Sequence, residues 1–160
     1  MPRDQRITLL LEFVHQSFYG PAWHGPALWA TLRGVSPDQA LARPKAGRHN
    51  VWEYALHAAY WKYVVRRRLT RDESLEFPRG PANWPAPPTR ASAAAWKADR
   101  ALLKEQHELL VRTIERFPAE SLGKKAWKSR YTNLQSIEGI ASHDLYHGGQ
   151  IQLVKRLISV

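Results

Sequence analysis

Near the C-terminus the sequence reads HDLYHGGQ over residues 143–150, which sets His143 and His147 four residues apart with Asp144 directly after the first. Two imidazoles at that spacing project from one side of a helix, one turn apart, and can hold one metal ion between them. Asp144 takes the place where zinc proteases carry a general-base glutamate. Two features oppose that chemistry. Aspartate is one methylene shorter, and the chain after His147 reads GGQIQLVKRLISV, with no His, Asp, Glu or Cys to act as a downstream ligand. A third ligand has to come from upstream. The other reading of a lone HxxxH pair is two core histidines, each bonded to a carbonyl or carboxylate.

Upstream stand His15, His24, His49, His57 and His107. His57 leads, because it sits between Tyr54, Trp61 and Val64 in the most apolar stretch of the chain, and a buried imidazole needs a polar partner. His107 falls toward the edge of its helix's apolar stripe and is expected to be exposed. His49 precedes a helix cap. His24 lies in the break GPAWHGP, where a loop could bring it to a pocket. Trp23, Trp61 and Trp84 are candidate pocket walls, although aromatic residues at helical spacing more often fill a core. Asp144 is turned away from the histidine face, which predicts a place behind the ligands or at the surface.

The elements that position these residues are helical. Apolar residues recur at helical spacing, and no stretch alternates as a half-buried strand does. Helices are predicted over residues 4–18, 27–33, 37–41, 51–69, 91–117 and 133–157. The first breaks at Gly20-Pro21, since proline has no N–H to donate. Ser36 with Pro37 marks the third start, and capping boxes Asn50…Glu53 and Thr132…Gln135 mark the fourth and last. Residues 70–89 carry Pro78, Pro81, Pro85, Pro87 and Pro88, a connection long enough to cross back over a 20-residue helix of about 30 Å. Four main helices with one long crossover predict an all-α four-helix bundle. On its last helix Ile140, His143, His147, Ile151, Val154 and Ile158 share one face.

At 160 residues, 44% of them hydrophobic, the chain suits a single domain over 1–160 with a real core. It has no apolar run near the ~20 residues of a membrane span. Glu12 and His15 interrupt the N-terminal apolar stretch, which does not read as a signal peptide. The expected location is the cytoplasm. Without cysteine there is no disulfide framework, no Cys zinc site and no thiol nucleophile of the chain's own. Any thiol must arrive as a substrate. The net charge is +10, with short clusters at Arg66, Arg67, Arg68 and at Lys124, Lys125. No nucleic-acid motif accompanies them, so the basic residues read as a solvated surface and nucleic acid is not an expected partner.

The segments GPAWHGPAL, HNVWEYALHAAYWKYVVRRRL, FPRGPANWPAPP and ASHDLYHGGQIQLVKRL, in that order, resemble the DinB/YfiT-like family of metal-dependent bundle proteins over about residues 6–157. The resemblance implies a four-helix bundle with a long, proline-rich connection between its second and third main helices. It implies a divalent metal, commonly zinc or nickel, on one histidine of the second helix and an HxxxH pair of the fourth. Carried onto this sequence, these are His57, His143 and His147. Characterised branches are bacillithiol S-transferases and a mycothiol-dependent maleylpyruvate isomerase. The expectation is therefore a metal-dependent enzyme, a low-molecular-weight-thiol S-transferase acting on a small electrophile. The alternative is a non-catalytic stress-response or binding module with a structural metal. Small molecules are the expected partners, together with a second copy of the chain, since family members often form homodimers. No catalytic base has a motif behind it; Asp144 and Glu53 are merely nearest.

Overall fold

The computed structural model describes residues 3–159. Six α-helices follow in order: α1 (Gln5–Phe18), α2 (Leu28–Thr31), α3 (Pro37–Leu41), α4 (Val51–Thr70), α5 (Ala93–Glu115) and α6 (Asn133–Ile158). A 3-10 turn at Ala119–Ser121 lies between α5 and α6, and no strand occurs among the described residues. The sole pairing of extended backbone described is an antiparallel bridge, Lys125 to Thr132.

Local chemistry explains the starts. The Asp4 carboxylate accepts the Arg6 N–H, and Asn50 and Thr132 each close a reciprocal box with Glu53 and Gln135. Each satisfies backbone donors that have no partner within the helix. Ser36 makes the same box with Gln39 ahead of Pro37. The third long helix starts two residues later than predicted, because the Ser92 hydroxyl accepts the Ala95 N–H and closes the helix there. The second predicted helix shrinks to four residues, its end turned over at Leu32.

The long α4 packs between α5 and α6, while α1 lies against α6 and α5 and the short α2 covers α6. One apolar cluster gathers Phe18, Leu28, Trp52, Leu56, Leu103 and Ile151, and a second gathers Ile7, Leu10, Val14, Ile114, Ile137 and Ile140. The short α2 lies against Gly148: a Cβ there would meet the Leu28 Cα and the Pro26 carbonyl oxygen at 3.8 Å, in ordinary van der Waals contact. Gly149 faces open space. No helix among the described residues is long and apolar enough to cross a membrane.

His107 corrects one expectation. It is 1% exposed, its ring stacked on Phe18 at 3.8 Å, because α1 packs over the edge of α5 that the helical wheel left to solvent.

The α4–α5 connection contains no helix, yet it is tied down. The Tyr63 hydroxyl donates to the Leu75 carbonyl at 2.8 Å, and Phe77 is buried against Tyr60 and Tyr63. These contacts hold the segment along α4, so that Asn83 and Trp84 reach the histidines.

Candidate metal centre

His57 comes from the second turn of α4 and His143 and His147 from consecutive turns of α6. Their ligating atoms lie within 4.8 Å of one another. His143 Nε2 stands 3.1 Å from His57 Nε2 and 3.0 Å from His147 Nε2.

Two of the rings have their tautomers set from outside. His57 Nδ1 lies 2.7 Å from the Asn83 carbonyl oxygen, which can only accept, so the proton sits on Nδ1 and the Nε2 lone pair faces the other histidines. His147 Nδ1 lies 2.5 Å from Gln150 Oε1 and is oriented the same way. Two inward lone pairs thus meet at His143, whose Nε2 can offer at most one proton. The His143 Nδ1 is buried without a partner. A cation among the three Nε2 atoms would satisfy all three lone pairs, so the donor set fits a divalent metal of the kind imidazole prefers.

Electrostatics point the same way. Burial, then the neighbouring imidazoles, lowers His143 to about 2. Burial lowers His57 to about 4, although the Asn83 hydrogen bond opposes it, and burial lowers His147 as well. All three are neutral at physiological pH, the form that binds metal.

The walls come from α4 and the connection. Trp84 stacks on His57 at 3.7 Å and on His49 at 3.6 Å. The Trp61 indole N–H donates to Asn83 Oδ1 at 2.7 Å. Asn83 therefore uses its backbone on His57 and its side chain on Trp61. Sequence reasoning passed over it; the single hint was its place beside Trp84 between two prolines. Gln150, one turn after His147, was missed too, although an acceptor three residues from a candidate ligand is readable on a helix.

Trp61 and His143 also line an apolar groove of about 440 Å³ between α4 and α6. Val65, Ile140 and Tyr131 continue its walls, and Arg68 is the one charged residue in its lining, 5.8 Å over the Trp61 ring.

Other expected participants lie elsewhere. Trp23 is fully exposed and His24 is exposed on the same loop, because Gly25-Pro26 turns the chain back into α2 before either can reach the histidines. Asp144, directly after His143, is not at the surface. It is fully buried and bonded to Lys62, with 2.5 Å between Nζ and Oδ2. The α6 face that carries it packs into α4, which the histidine stripe alone did not reveal. Glu53 is engaged as well: its carboxylate meets Arg43, His49 Nδ1 at 3.1 Å and the Asn50 N–H at 3.0 Å.

The family model of the DinB superfamily matches residues 22–151, which span α2 through most of α6 and include all three histidines. No curated protein and no solved structure matches the chain.

Proposed function

The chain belongs to the DinB superfamily, and from that premise we propose that it is a metal-dependent transferase joining a low-molecular-weight thiol to a small electrophile. The observation that carries this reading is the convergence of three neutral imidazoles whose inward lone pairs outnumber the protons available to them. A divalent ion such as zinc or nickel on His57, His143 and His147 would supply Lewis acidity and favour the thiolate form of a bound thiol.

The chain's own residues supply the rest. Asn83 and Gln150 hold two of the rings in their ligating tautomer. Trp84 covers His57 and limits water there. The groove that ends at His143 receives an apolar electrophile, with Arg68 at its edge for a polar or anionic substituent. With no cysteine in the chain, the attacking sulfur comes from the second substrate.

A closed structural metal site normally has four protein ligands. The histidine group contains three among the described residues and an apolar groove opens beside it, which favours the enzyme over a non-catalytic module. The same reading takes the packing of α1, α4, α5 and α6 as one four-helix bundle domain with a crossing, proline-rich connection, working in the cytoplasm on small molecules, as a homodimer.

The test is metal analysis of the purified protein beside His57→Ala, His143→Ala and His147→Ala, followed by conjugation of a small thiol to a generic aryl halide. About one zinc or nickel per chain in the parent, lost in each variant together with thiol consumption, is expected. Undiminished metal in all three variants removes the site assignment. Metal binding without any thiol-dependent turnover leaves the non-catalytic module.

A further inference from the structure

The two basic clusters that read as scattered surface charge in the sequence contribute to one cleft. It measures about 730 Å³ and lies where the C-terminal parts of α4 and α5 meet the segment before α6. Arg66 and Arg71 enter it from the end of α4, Arg112 and Arg116 from the end of α5, and Lys124 from the connection to α6. Residues two apart on a helix face different ways. Arg66 therefore lines this cleft while Arg68 lines the groove at His143.

The five cations outnumber the carboxylates around them. None forms an ion pair among the described residues. Asp72 is the one carboxylate in the lining, and its Oδ1 is already taken by the Ser74 N–H at 2.9 Å and the Ser74 hydroxyl at 2.6 Å. Arg66 Nε is buried with no hydrogen-bond partner, a costly state for a guanidinium donor. Burial works against the Arg66 charge and the neighbouring Arg112 adds to that, with Glu105, Tyr63 and Asp72 offsetting part of it. Converging, incompletely neutralised like charges in a concave site focus a positive potential and lower the stability of the folded chain until an anion joins them.

We propose that this cleft binds a small multivalent anion of the phosphate class, at a site separate from the histidines. Guanidinium groups match phosphate oxygens two at a time, which suits a cluster of four arginines. Leu69 and Phe117 in the wall offer apolar surface for an organic body attached to the phosphate. The cations surround a pocket instead of running along a face, a shape that fits a compact anion better than a nucleic-acid duplex.

Calorimetric titration with inorganic pyrophosphate, at constant ionic strength and without added divalent ions, tests it. Saturable binding of one pyrophosphate per chain is expected, with a matching rise in Tm. Arg66→Gln and the exposed Arg112→Gln each weaken it about tenfold, while Lys97→Gln, outside the cleft, leaves it unchanged. His57→Ala retains the binding, which separates this site from the metal centre. Phenyl phosphate bound more tightly than inorganic phosphate assigns the site to a phosphorylated organic molecule, and the reverse order to free phosphates. Equal affinity in the parent and both arginine variants, loss of binding in His57→Ala, or a short DNA duplex that binds without competition from pyrophosphate would each overturn the proposal.

Discussion

Lys62 Nζ and Asp144 Oδ2 lie 2.5 Å apart with both side chains shut off from solvent, which ties α4 to α6 close to where these helices present His57 and His143. Burial pushes the Asp144 carboxyl up and the Lys62 ammonium down, and each partner's charge opposes the shift. Breaking such a pair strands one buried polar group, whereas removing both need cost nothing. Lys62→Met and Asp144→Val are each expected to lower unfolding stability by ~3–5 kcal/mol in denaturant titrations. Lys62→Met with Asp144→Val should recover most of the loss. Additive losses in the double variant would show that the two residues act independently.

Gln150 orients His147 without touching the point where the three histidines meet. Losing such an orienting partner typically costs 10–100-fold in metal affinity. Gln150→Leu should weaken zinc binding by about that factor in competition with a chelating indicator, while Gln150→Glu keeps the acceptor and the affinity. An unchanged zinc affinity in Gln150→Leu would mean that helix geometry alone holds the ring.

His107 provides a pH signature of its own, outside the three candidate ligands. Both its ring nitrogens are buried without partners, and burial, then Lys62, lowers it from 6.5 to about 2. Because the folded value lies below the unfolded one, the unfolded chain binds the proton first as pH falls. Stability is then intact above 6.5 and declines as pH drops toward about 2, by at most about 1.4 kcal/mol per pH unit for this one proton. His107→Leu should flatten that part of the pH profile and, by removing two unsatisfied nitrogens, stabilise the chain at neutral pH. Parallel profiles for parent and variant between pH 4 and pH 6.5 would contradict this account.

Trp84 rests on His49 and His57 and anchors the long connection. Trp84→Ala removes both stacks while leaving α4 intact. Limited proteolysis should then cut within residues 71–92 at least several times faster, with far-UV circular dichroism unchanged. Cleavage at the parent rate would show that Tyr63, Phe77 and Asn83 suffice to hold the segment.

Much of this molecule was legible along the chain because the relevant forces are local. Asn50…Glu53 and Thr132…Gln135 mark the starts of α4 and α6, since a capping box needs only residues three apart. His143 and His147 share a helix face for the same reason, and the chain after His147 holds no further ligand, which leaves the third to an upstream residue such as His57. By contrast, the break GPAWHGP leaves room for His24 and Trp23 to reach a pocket, and the structure instead leaves both in solvent.

By itself the sequence determined the long helices, the starts of α4 and α6, the histidine pair and the lack of any thiol of the chain's own, all of which depend on residue type and short spacing. Tertiary structure alone decided that Asp144 pairs with Lys62, that His107 is covered by α1, that the Asn83 carbonyl sets the His57 tautomer, and that Arg66, Arg112 and Lys124 share one cleft. Each of these joins segments distant in the chain. The free energy of burying a charge or satisfying a ring nitrogen depends on which neighbour packing delivers, and no local pattern encodes that neighbour.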